Sequence, residues 1–172
     1  PNAQHRSIIG AKQTFSYKGF SLYFLLDWRY GGKILSQTQA EMDLYGVSQV
    51  TALARDRGYV TLEGQQIDNV KGFYKNIVGG RAGVTEYYMY DATNLRLREV
   101  SLNYTFPKKW MQKTKVLKDL QLAFVARNLC FLYKKAHFHP DLVLSTGNDN
   151  QGIEVFGMPT TRSLGFTVKC EF

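Results

Sequence analysis

The chain has 172 residues, enough for one domain with a sizeable core, and a formal charge of +8. Aromatic residues make up 14%, with 11 Tyr and 11 Phe; the two cysteines exclude a disulfide scaffold. No stretch approaches the roughly 18 consecutive apolar residues of a transmembrane helix, so any membrane insertion must use strands closed into a barrel.

The chain begins at Pro1 without an initiator Met or a signal peptide, as expected of a processed product or a fragment. Residues 6–16 form a strand candidate, and Tyr17-Lys18-Gly19 a tight turn. Residues 19–30 alternate clearly. Phe20, Leu22, Phe24, Leu26, Trp28 and Tyr30 take one face, opposite Ser21, Tyr23, Leu25, Asp27 and Arg29. Trp and Tyr close the apolar face, where amphipathic rings meet a membrane–water interface. Gly31-Gly32 ends the strand.

Residues 31–94 lose the two-residue period and read as a long elaborated loop, of the kind that carries function. Within it, Leu44, Val47, Val50 and Leu53 recur at helical spacing and predict a short amphipathic helix in residues 36–57, against which Gly46 weighs. Alternation returns at 95–106, with Val100, Leu102, Tyr104 and Phe106 on one face, until Pro107 stops the strand. Lys108, Lys109, Lys113, Lys115 and Lys118 then crowd one turn. That concentration explains much of the charge, and no recognition-helix, RNP or zinc-finger pattern accompanies it, so no nucleic-acid partner is expected.

A strand at 120–133 and a Gly-, Asn- and Asp-rich loop at 134–159 lead to a final strand at 160–172. There Leu164, Phe166, Val168, Cys170 and Phe172 alternate with small or polar residues. About five antiparallel strands are thus predicted, joined by alternately short and long connections: an all-β chain with the layout of an outer-membrane barrel. Short turns face the periplasm, and the C-terminus with them. In that register Cys130 and Cys170 lie at opposite ends of neighbouring strands and remain free thiols.

Several segments together resemble the C-terminal end of SusC/RagA-type TonB-dependent outer-membrane receptors of Bacteroidetes. They are Phe15-Ser16-Tyr17-Lys18-Gly19-Phe20, Asp27-Trp28-Arg29-Tyr30-Gly31-Gly32-Lys33, the run from Leu95 to Pro107, Asn128-Leu129 and Pro159-Thr160-Thr161-Arg162. The resemblance spans nearly the whole chain and is weakest in the two long loops. It implies a segment of a large plugged transmembrane barrel, of which 1–172 would be the C-terminal part or one piece of a split barrel. The plug and the segment that engages the TonB complex would lie upstream. It further implies import of a glycan or peptide substrate with a SusD-like surface lipoprotein, contact with membrane lipid, and no enzymatic activity or cofactor. Gly165, Phe166, Val168 and Phe172 would be read by the barrel-assembly machinery, with Cys170 replacing a more usual bulky apolar residue.

On this reading Asp27, Arg29 and Arg127 would line the lumen wall. Loop aromatics Tyr87, Tyr88, Tyr90 and Phe138 would meet ligand or lipoprotein lid, since a Tyr ring offers an apolar face with a polar tip. His137, His139 and Asp141 alternate like metal ligands, but ligand spacing alone is weak and Pro140 disturbs it, so no metal is expected. No nucleophile and base stand in a catalytic motif. The competing reading is a soluble β-sandwich that binds carbohydrate on aromatics; it requires loops of similar length at both ends. A third is a small barrel that only anchors a surface loop assembly.

Overall fold

Alternating side chains fold here into long strands, and the segments between them turn helical where Ser or Asn caps a first turn. The computed structural model describes residues 2–79, 85–111, 117–144, 147 and 150–171. Its first elements are β1 (Ser7–Tyr17), β2 (Phe20–Tyr30), β3 (Lys33–Ser36), α1 (Gln37–Leu44), α2 (Gln49–Arg57), β4 (Val60–Leu62), β5 (Gln65–Ile67) and α3 (Val70–Val78). A 3-10 turn at Thr85–Tyr88 precedes β6 (Met89–Asp91), β7 (Asn94–Thr105), α4 (Lys108–Met111), β8 (Asp119–Lys134), β9 (Ile153–Glu154) and β10 (Ser163–Glu171).

The chain divides into two compact units. The first to describe comprises His5–Tyr30, Thr93–His137 and Pro159–Phe172, and it is the five-stranded antiparallel sheet predicted by alternation, in the order β1-β2-β7-β8-β10. The sheet is open: within it β1 and β10 each pair on one side only. Lys18 and Gly19 join β1 to β2 with φ of 45° and 88°, the left-handed pair of a two-residue hairpin. A Cβ on Gly19 would sit 2.7 Å from the Thr105 carbonyl oxygen, and Thr105 N–H donates to the Gly19 carbonyl at 2.9 Å. Gly19→Ala therefore meets both a disfavoured φ and a backbone clash, and should cost more than about 1 kcal/mol, read as a lower urea midpoint for the folded sheet.

Register shifts interrupt the ladder between β2 and β7 and twice between β7 and β8. Leu25 pairs with Glu99 and Leu26 with Leu97, so Arg98 is the extra residue of a bulge in β7. In β8, Asn128 takes φ of 53°, which Asn tolerates better than most residues, and its Nδ2 donates to the Thr161 carbonyl at 3.3 Å. Cys170 lies opposite Leu120 and Cys130 opposite Leu97; the ten-residue step along β8 from Leu120 to Cys130 amounts to ~33 Å, and both thiols are free. In the lysine-rich connection Lys108 and Lys109 begin α4 rather than a plain turn, and Lys118 N–H donates to the Glu171 carbonyl. Lys113 and Lys115 lie outside the described residues.

The other unit, Pro1–Gln4, Gly31–Ala92 and Phe138–Met158, replaces much of the expected irregular loop with regular structure. Among the described residues it holds three α-helices, the 3-10 turn, the hairpin β4-β5 and a small sheet ordered β6-β3-β9, in which β9 runs parallel to β3. The single amphipathic helix expected in 36–57 is two helices, broken around Gly46 at φ 70°. Its apolar stripe does not face the core: Val47 is 68% exposed, Val50 51% and Leu53 45%. Ala40, Asp43, Thr51 and Ala54 are buried instead. These are small or polar side chains, which counting large apolar residues does not select. The core gathers these alanines with Val60, Phe73, Tyr74, Ile77 and Tyr88. Among the described residues no helix is long and apolar enough to cross a membrane.

Candidate functional site

Register places the large apolar side chains of all five strands on one face of the sheet. Phe15, Leu22, Leu102, Phe124 and Phe166 follow one another across it, as Leu22 pairs with both Phe15 and Leu102, and Phe124 with both Leu102 and Phe166. These five are 38–66% exposed. Each forgoes part of the roughly 1.5–3 kcal/mol that full burial of such a side chain contributes. Rings cluster at both ends of the face: Phe20, Tyr104, Phe106 and Trp110 stand in succession at 4.4, 4.7 and 6.2 Å, and Trp28 meets Tyr30 at 6.1 Å.

The opposite face is polar, and the bulge gives it a charged centre. Asp27, 6% exposed, faces Arg96 across the ladder, while the bulge turns Arg98 toward it. Its Oδ2 lies 3.4 Å from Arg29 Nε, 3.7 Å from Arg96 Nη2 and 3.4 Å from Arg98 Nη1. Arg96 also lies over the Phe131 ring at 5.6 Å. Arg127 stands apart from this cluster, paired with Glu99 at 3.1 Å near solvent. Of the three expected wall residues, Asp27 and Arg29 are thus together and Arg127 is separate. Arg96, Arg98 and Glu99 were missed, although the switch from odd apolar positions (Leu95, Leu97) to even ones (Val100, Leu102) marks the bulge in the sequence.

Two buried carboxylates organise the loop unit. Asp43 accepts from Ser48 Oγ at 2.5 Å and from Gln39 Nε2 at 2.8 Å, and Ser48 in turn caps α2 by accepting from Thr51 N–H. Glu154 accepts from Ser36 Oγ at 2.8 Å, Thr38 Oγ1 at 2.6 Å and Gly157 N–H at 3.2 Å. Since Ser36 also caps α1, Glu154 fastens β9 to that helix start.

The expected ligand aromatics divide here. Tyr88 is 2% exposed and packs in the core, against Tyr87 at 5.1 Å. Tyr87 and Tyr90 are partly buried beside that core, and Phe138 meets Tyr90 edge-on at 5.3 Å. Burial, then the neighbouring Tyr87 and the Asp43 carboxylate, pushes the Tyr74 phenol up to about 12; burial and Asp43 push Tyr90 up to about 12 as well. Tyr88 is raised further by the same two causes, and Tyr87 is raised too. All four stay protonated, and so uncharged donors, at neutral pH.

In β10, Phe166 and Val168 lie on the apolar face opposite Phe124 and Leu122, and Gly165 lies on the polar face opposite Val125. Phe172 lies outside the described residues. Among the described residues no three His, Cys, Asp or Glu side chains converge; His139 Nδ1 instead accepts from the Asp141 N–H at 3.3 Å.

A five-stranded antiparallel sheet, apolar on one face, polar on the other and unclosed, has the layout of a section of barrel wall. Solved structures of that kind match it. Chains of the RagAB peptide importer superpose in the open-open state with a TM-score of 0.69 at 17% identity, and in the closed-closed state with 0.69 at 16%, each over 96% of this chain. A further structure of the RagAB peptide transporter gives 0.67 at 15% identity over 99%. At these identities the likeness is one of fold, and this chain spans 17% of the length of each. No family model matches the chain, and no curated protein does.

Proposed function

We propose that the chain is a C-terminal segment of the barrel of a SusC/RagA-type, TonB-dependent outer-membrane importer for oligosaccharides or peptides. The observation that carries this is the exposed apolar face bounded by aromatic rings. Phe20 and Tyr30 are ten residues apart on it; that is ~34 Å along the strand and ~25 Å along a membrane normal at a ~40° tilt, the height of an outer-membrane apolar band. Superposition on RagAB chains over 96–99% of its length supports the same reading.

In this proposal the remaining strands and a plug complete the barrel, and energy reaches it through the TonB complex. The short Lys18-Gly19 hairpin and the C-terminus lie on the periplasmic side. The loop unit lies outside the cell, where a SusD-like lipoprotein covers the entrance. Asp27, Arg29 and Arg127 belong to the lumen wall, whose role is passage rather than catalysis. Gly165, Phe166, Val168 and Phe172 are the strand the assembly machinery reads.

The β-sandwich alternative would need a second layer over the face whose Phe166 is 66% exposed. Expressed in its native reading frame in a Gram-negative host, the protein is expected to fractionate with the outer membrane and to require detergent for extraction. A soluble monomer obtained without detergent would overturn the proposal.

A further inference from the structure

Charge is unevenly placed at the end of the sheet where β1 turns into β2. The sequence has no acidic side chain before Asp27 and none between Glu99 and Asp119, so Lys18 in the hairpin and Lys108 and Lys109 in α4 have no acidic neighbour on their own segments. All three are exposed, and none forms an ion pair with a described residue. The Thr105 N–H, donating to the Gly19 carbonyl at 2.9 Å, sets the hairpin against the end of β7, and Lys108 follows three residues on.

The carboxylates nearest this end, Asp119 and Glu171, stand opposite each other on β8 and β10. Their register puts them on the polar face, since the next pair along, Leu120 and Cys170, takes the apolar one. Aromatic rings keep the lysines company instead. The row from Phe20 through Tyr104 and Phe106 continues the apolar face as far as Trp110, which is 58% exposed, and Lys18 Nζ lies 5.1 Å from the centre of the exposed Tyr17 ring. Amphipathic rings mark the level at which acyl chains give way to headgroups. Basic side chains gathered at that level attract anionic lipid, each contributing about 1 kcal/mol.

We infer that this end of the sheet holds an anionic phospholipid, of the phosphatidylglycerol class, from the leaflet that faces the periplasm. Lys18, Lys108 and Lys109 meet its headgroup phosphate, and Phe106 and Trp110 lie against the glycerol and the first acyl carbons. Phosphatidylethanolamine carries the same phosphate, but its own ammonium cancels the charge, so three lysines without acidic partners favour the anionic lipid. The inference rests on the barrel reading and adds to it a headgroup preference, which an apolar face alone does not supply.

The test is native mass spectrometry of the protein, expressed in its native reading frame and extracted in detergent, after mixing with equal amounts of phosphatidylglycerol and phosphatidylethanolamine. Phosphatidylglycerol is expected to be retained in preference. Each of Lys18→Gln, Lys108→Gln and Lys109→Gln should lower its retention about fivefold, the equivalent of about 1 kcal/mol, while arginine at the same positions preserves it. Lys169→Gln removes an equal charge from the polar face, opposite Gln121, and should change nothing. Because the two lipids compete for the unaltered protein, a misfolded variant leaves the outcome decidable. Equal retention of both lipids overturns the inference, as does a loss in Lys169→Gln as large as that in Lys108→Gln. Displacement of the lipid by excess glycerol phosphate also overturns it, since the site would then recognise phosphate alone. Fractionation with the outer membrane tests the import reading separately, so any of those results leaves that reading standing.

Discussion

Arginine in place of Phe166 is expected to abolish stable insertion of the sheet, while arginine at the adjacent Thr167 leaves insertion intact. The two positions are neighbours in β10 and differ only in face: Phe166 stands opposite Phe124 among the exposed apolar side chains, and Thr167 stands opposite Ala123 on the polar side. A guanidinium facing hydrocarbon near the midplane costs ~2–4 kcal/mol in outer-membrane barrels, a large part of what holds a folded domain together. The same group facing a polar lumen remains solvated. Outer-membrane levels and the heat-dependent gel shift of a folded barrel read the difference. Equal tolerance at both positions would mean that neither face meets lipid.

Removing the Asp27 carboxylate is the second change with a large expected effect. Three guanidiniums approach its Oδ2 within 4 Å, and Asp27 and Arg96 are both nearly inaccessible. In Asp27→Ala the nearly inaccessible Arg96 loses this counterion and is left beside two other guanidiniums, of which Arg98 is partly exposed. Breaking a buried pair in this way costs ~3–5 kcal/mol, against a median below about 1 kcal/mol for exposed pairs such as Arg127 with Glu99. Asp27→Asn keeps the shape and one acceptor but not the charge, and should recover little. A Glu99→Gln control, which breaks the exposed pair, should shift the urea midpoint of the folded protein far less than either. A loss at Asp27 no larger than that of Glu99→Gln would show that the arginines find other acceptors.

The sheet was legible because each strand carries its own instruction. Phe20 to Tyr30 carry an apolar residue at every even position, as do Leu164 to Cys170, and the two-residue period needs no partner to be seen. The charged centre was half legible. Asp27 and Arg29 sit on a regular strand, but Arg96 and Arg98 reach them through a bulge, whose trace is only a change in the phase of the leucines. The loop unit was least legible because its order comes from contacts far apart in the chain. Its helices bury Ala40, Asp43, Thr51 and Ala54, and they leave exposed Val47, Val50 and Leu53, the residues a hydrophobic count selects. Tyr88 shows the same limit. Its neighbours in sequence suggest a surface loop, but its neighbours in space are Asp43 and the aromatic core.

Glu154 also sets an order of events. The central strand β3 has β6 on one side from the same excursion of the chain, but its other partner β9 arrives only after β8 has been made. Until then Ser36 and Thr38 lack their acceptor, and one edge of β3 is unpaired. Closing contacts of such long sequence separation is slow, so β9 is expected to join this unit after β3, β6 and the intervening helices have formed. Glu154 thus acts as a latch, fixing a helix start laid down 118 residues earlier in the chain.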